Sequence, residues 1–146
     1  MTRKERFAQA LLLPINPALV VLLGIYTVVW GLWIANPWWD VFPTATLYSQ
    51  MALIAPEWVW GGIAIAAGIV VIIGAMVRSF GALTRGSGVA FLHWFIISIM
   101  YFMGDPLNTG GITSLVIALY AACIYWNIRI NFKPDKRPHK RQMLPR

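Results

Sequence analysis

His93, Tyr26, Thr27 and Tyr120 are the residues whose types and depth could combine into chemistry, because each falls near the middle of a long apolar stretch. A histidine titrates near neutrality and burial can change its charge state, so His93 could relay a proton or contact a ligand from such a position. The same residues have a structural reading. An uncompensated polar group in hydrocarbon is costly, so His93 is expected to face other helices and share a hydrogen bond with a Tyr or Thr hydroxyl. We take this midplane polar layer as packing glue, since side-chain hydrogen bonds between membrane helices are a routine device.

Other reactive groups do not assemble. Asp105 lies in Gly104-Asp105-Pro106-Leu107-Asn108-Thr109-Gly110-Gly111, whose Gly, Pro and Asn content marks a tight turn. A lone carboxylate there is a weak cation site, and it stands at the end of a span while His93 stands near the centre of one, so no Ser-His-Asp arrangement forms. Cys123 is the only cysteine, which excludes an intrachain disulfide and a multi-cysteine metal site. The second histidine, His139, is in the C-terminal segment, out of reach of a bis-histidine haem. No enzyme activity, cofactor or metal is expected.

The elements that carry these residues follow from hydropathy. The chain is 59% apolar and only 12% charged, with a mean hydropathy of +0.66, and a soluble fold does not need so apolar a composition. A hydrocarbon core about 30 Å thick requires roughly 17 to 25 apolar residues in helical form. Windows 17–34, 58–77, 86–103 and 111–128 meet this without one Asp, Glu, Lys or Arg. The alternation of a barrel strand is absent. The expected fold is therefore an all-α integral membrane protein, a four-transmembrane-helix bundle over residues 1–130, followed by a basic, extended tail, 131–146.

Charge placement sets the orientation. All twelve Lys and Arg residues fall before the first span, at Arg78 and Arg85 between the second and third, or after the fourth. Cytoplasmic loops retain basic residues, so both termini are expected inside, in a membrane of the bacterial inner type. The Lys133, Lys136, Arg137, Lys140 and Arg141 tail should touch anionic headgroups. Nucleic acid is not an expected partner, since no aromatic residue follows Phe132 to stack on a base.

Local signals refine the picture. Asn16-Pro17 reads as an N-cap followed by proline at the first helical position. Thr2-Arg3-Lys4-Glu5 matches a capping box, with Phe7 and Leu11 sharing a face, which predicts a short helix on the inner membrane surface. Pro43 and Thr44 could open another in the first outer loop, with Leu47, Met51 and Ile54 on one face and an end near Pro56, lying in the outer interface. Trp30, Trp33, Trp38, Trp39, Trp58 and Trp60 cluster at that level as an aromatic belt. In the second span Gly62 and Ala66, and Ala64 and Gly68, are pairs four apart that let a neighbouring backbone approach.

No carboxylate lies within the spans, which argues against a proton-coupled carrier. The expected function is that of a non-enzymatic membrane component that packs with copies of itself or with partner membrane proteins. The alternative is an oligomeric lesion or channel of the kind formed by bacteriophage holins, which resemble this chain in size, span content and tail charge.

Overall fold

A proline at the first turn of a helix gives up a donor that would have been orphaned there in any case. The computed structural model, which describes residues 16–131, uses this device: the Asn16 side chain accepts from the Ala18 N–H at 2.9 Å, and helix α1 runs Pro17–Ile34. Two 3-10 turns follow, Phe42–Thr44 and Thr46–Tyr48, then a short helix α2, Ser49–Ile54. Helices α3 (Glu57–Met76), α4 (Phe80–Gly104) and α5 (Thr109–Asn131) complete the described chain. It is all-helical, with no strand among the described residues and four helices long and apolar enough to span a membrane. The capping box at Thr2 to Glu5 and the lysines and arginines of the tail lie outside the described residues.

The helix limits follow caps, not hydropathy. α4 begins at Phe80, ahead of the charge-free window that opens at Gly86, because the Ser79 side chain accepts from the Ala82 N–H at 3.4 Å. Arg85 interrupts an apolar run without interrupting a helix. At the other end of α4, Asn108 organises the turn into α5: its Oδ1 accepts from the Gly111 N–H at 2.8 Å, while its Nδ2 donates to the Tyr101 carbonyl at 2.8 Å and to that of Asp105. The Asp105 carboxylate accepts from the Leu107 N–H at 3.1 Å, the Asx bond that a turn residue of this type favours.

The turn from α3 to α4 ends α3 through a left-handed residue. Ser79 N–H donates to the Gly74 carbonyl at 2.9 Å and Arg78 N–H to Ala75 at 3.4 Å, the two bonds of a Schellman motif, and Arg78 takes φ 52°. Glycine is the usual residue there because a Cβ is strained at positive φ. Arg78→Gly is therefore expected to raise stability by about 1 kcal/mol, measured by unfolding in detergent micelles; a fall in stability would show that the arginine side chain contributes more than its backbone costs.

Close packing of α1 on α3 is built from glycines on both helices. A Cβ on Gly24 would lie 2.9 Å from the Gly68 carbonyl oxygen, and one on Gly68 would lie 2.6 Å from that of Gly24. Gly31 and Gly61 are reciprocal in the same way, at 2.7 and 2.5 Å. A seven-residue step along α1, from Gly24 to Gly31, is thus matched by an equal step back along α3, from Gly68 to Gly61. That is the register of two antiparallel helices with a heptad seam. α3 meets α4 at Gly74 and Gly86, where an added Cβ would lie 2.9 Å from Leu83 N and 2.9 Å from a Val71 methyl. α4 and α5 are tied by the Ser98 hydroxyl, which donates to the Gly111 carbonyl at 2.7 Å.

The helices pack mainly in chain order, and α1 and α5 touch only narrowly. Residues 35–56 fold over the end of the bundle instead of standing clear of it. Met51 is fully buried, Val41 and Phe42 are buried, and a Cβ on Gly104 would lie 2.8 Å from the Thr46 carbonyl. The Glu57 carboxylate accepts from the Phe42 N–H, and the Trp60 indole N–H is shared by the carbonyls of Met51 and Ala55, both at 3.2 Å. Of the face expected from Leu47, Met51 and Ile54, Met51 turns inward, Leu47 is half-buried and Ile54 is exposed. The two 3-10 turns that precede α2 break the single helical period on which that face rests.

Candidate functional site

Where α1, α3 and α4 meet, large aromatic side chains occupy the space that glycines close elsewhere. His93 and Trp94 are consecutive on α4, about 100° apart around its axis, so one helix can present both to different neighbours. Both are buried. The His93 ring is surrounded by three indoles: Trp30 of α1 at 5.4 Å, edge-on; Trp60 of α3 at 6.1 Å; and Trp94 at 5.8 Å, edge-on. Trp30 also meets Trp94 edge to face at 5.0 Å, and the Tyr26 ring lies 5.4 Å from Trp94. Such tilted and edge-on contacts suit the ring quadrupoles.

A hydrogen bond between side chains in this layer crosses from α4 to α1. The Trp94 indole N–H donates to the Thr27 hydroxyl at 3.1 Å, and that hydroxyl donates in turn to the Leu23 carbonyl at 2.8 Å. Thr27 is fully buried, so both of its roles are satisfied within the protein. Of the Tyr and Thr hydroxyls that could serve His93, that of Thr27 has Trp94 as its partner instead. His93 Nε2 is buried with no hydrogen-bond partner among the described residues, facing aromatic surface. An indole N–H is a donor with no acceptor role, which makes it the natural complement of a hydroxyl whose proton is already committed to its own helix.

The other two residues of the expected layer stand apart. Tyr26 is 43% exposed and meets the group in a tilted ring contact with Trp94. Tyr120 is half-buried on α5, its hydroxyl enclosed without a hydrogen-bond partner among the described residues, and no ring contact joins it to His93. The structure thus brings Thr27 and His93 into one layer, adds Trp30, Trp60 and Trp94, and leaves Tyr120 elsewhere. The six tryptophans expected as a belt also divide. Trp33, Trp38, Trp39 and Trp58 are exposed, whereas Trp60 is buried and Trp30 half-buried, both turned onto His93.

The small residues of α3 divide in the same manner. Ala64 and Gly68 face α1 and are buried; Gly62 and Ala66 are exposed, and a Cβ on Gly62 would meet nothing within 4 Å. The partners Gly24 and Gly31 on α1 carry a signal in the sequence, the spacing of seven that they share with Gly61 and Gly68. Trp94 has no comparable signal, since nothing in the order of residues shows which indole turns inward.

Among the described residues no group of three or more His, Cys, Asp or Glu side chains could hold a metal ion, and Cys123 is a free, exposed thiol. No acid lies beside His93 in the ring contacts that enclose it. The layer can lock three helices together. Neither a family model nor a curated protein nor a solved structure is significantly similar to this chain. What the fold and the layer define is a class: an all-helical chain whose four apolar helices are compatible with a multi-pass membrane protein.

Proposed function

We propose that this protein is a non-enzymatic, multi-pass membrane component that works by packing its helices against copies of itself or against partner membrane proteins. One observation carries the reading: α3 has two small-residue faces, and α1 uses only one of them. In lipid there is no hydrophobic drive between helices, so association depends on close backbone approach, and an exposed Gly62 and Ala66 one turn apart permit it. The enclosed state of His93 supports the same reading, because its imidazole is placed among rings as a packing unit.

In this proposal both termini are cytoplasmic, as the placement of Arg78 in the α3–α4 turn and of Arg85 near the start of α4 favours. The strained conformation of Arg78 is consistent with a charge kept for orientation at a position suited to glycine. The exposed Trp33, Trp38, Trp39 and Trp58 then lie at the outer interface with residues 35–56, in a bacterial-type inner membrane.

Expression in bacteria tests the proposal. The chain is expected to accumulate harmlessly as a discrete complex, and Gly62→Leu combined with Ala66→Leu is expected to weaken that complex at least about tenfold, one unit of RT ln 10, without loss of helicity. Abrupt loss of membrane potential with growth arrest would instead favour the oligomeric lesion, and a complex unaffected by the double substitution would remove the assigned face.

A further inference from the structure

Between the first turns of α4 and the last turns of α5 runs an open groove of about 490 Å³ lined by Thr84, Arg85, Gly88, Leu92, Tyr125 and Arg129, among others. Its composition changes along its length. At the helix ends stand two exposed guanidinium groups, and further along α4 the lining becomes Gly88, Val89 and Leu92, with Val89 and Leu92 exposed. Trp126, 60% exposed, lies on the same wall. A cationic end next to an apolar slot complements, end for end, the anionic head and acyl chain of a phospholipid.

The arginines are arranged for an anion. Arg129 donates from Nε to the Tyr125 hydroxyl at 3.1 Å, and its guanidinium lies 5.5 Å from the centre of the Tyr125 ring. This holds the side chain while leaving Nη1 and Nη2, the fork that grips a phosphate, without a hydrogen-bond partner among the described residues. No ion pair engages Arg85 or Arg129 among the described residues, although both border the groove. The C-terminal segment of the chain is a poor occupant, since it brings Lys133, Lys136, Arg137, Lys140, Arg141 and Arg146 against a single acid, Asp135. Charge therefore favours an anionic lipid.

We infer that this groove is a binding site for one anionic phospholipid, its phosphate between Arg85 and Arg129 and an acyl chain along Gly88, Val89 and Leu92. The inference rests on the proposal that the helices cross a bilayer, and it places lipid selectivity in the folded helices and not in the tail. Basic pockets between membrane helices recognise headgroups by this combination of charge and apolar contact.

The test uses the full chain, purified in mixed micelles containing equal amounts of phosphatidylglycerol and phosphatidylcholine, with retained lipid counted by native mass spectrometry. One phosphatidylglycerol is expected to be retained in at least about tenfold preference. The preference should disappear in Arg85→Gln/Arg129→Gln and survive when Lys133, Lys136, Arg137, Lys140 and Arg141 are all changed to Gln. Absence of preference in the unaltered protein overturns the inference whatever the variants do, and so does a preference that follows the tail. Resistance of the unaltered protein to alkaline extraction from membranes separates these outcomes from failure of the membrane reading itself, which extraction would reveal.

Discussion

Gly61→Ala is expected to destabilise the protein by about 2 kcal/mol, whereas Gly62→Ala, one position along the same helix, is expected to be neutral or slightly stabilising. Both changes replace glycine within a helix, where alanine is intrinsically better by about 1 kcal/mol. The difference lies in what the new methyl meets. At Gly61 it would fall 2.5 Å from the Gly31 carbonyl oxygen, 2.5 Å from the Ala35 Cβ and 2.9 Å from the Ala35 nitrogen, and two of these three are backbone atoms, one in α1 and one in the residue that caps its end. No rotamer change relieves a backbone clash, so α1 must move away, at a strain near or above the upper end of the roughly 1–3 kcal/mol typical of overpacked sites. At Gly62 nothing lies within 4 Å. Reversible unfolding of the two variants in the same micelles checks the pair, and equal effects would show that α1 and α3 do not meet in this register.

Trp94→Ala should cost about 3 kcal/mol, while His93→Phe should change stability by less than about 1 kcal/mol. Removing a buried indole leaves a cavity, and large aromatic-to-alanine changes in cores cost about 3–5 kcal/mol. In lipid the part of that cost due to water transfer is small, which favours the lower end. Trp94 nonetheless joins α4 to α1 through Thr27 by hydrogen bond and through Tyr26 and Trp30 by ring contact. His93, by contrast, contributes a ring among rings. Phenylalanine supplies a similar flat surface and removes a nitrogen that has no partner among the described residues. The two measurements separate structure from chemistry: if His93→Phe abolishes assembly or any transport while leaving the fold intact, the imidazole itself is functional and the packing account of the layer is wrong.

Hydropathy made the four apolar helices legible, and the Asn16-Pro17 start is visible in the residues alone because a cap is a local device. The beginning of α4 was hidden, since Ser79 sets it while Arg85 bounds the charge-free window. The glycines of α3 were readable as a packing surface, but periodicity on one helix cannot say which of two small faces meets a neighbour. Pairing with Gly24 and Gly31 decides for Ala64 and Gly68 and leaves Gly62 and Ala66 outside. Residue types point to Thr27 and His93 as partners in a polar layer, yet the hydrogen bond at Thr27 comes from Trp94 and not from the histidine. A side chain's depth follows from its position in a span, whereas its direction depends on which helices stand beside it, and α1 and α4 are brought together by side chains contributed from separate parts of the chain.

Cysteine cross-linking between copies tests the proposed assembly most directly. In a Cys123→Ala background, Gly62→Cys is expected to yield a disulfide-linked dimer rapidly on mild oxidation in native membranes, while Leu22→Cys, on an exposed face of α1, should link only slowly. No dimer at position 62, or equal rates at both positions, would contradict association through the free face of α3.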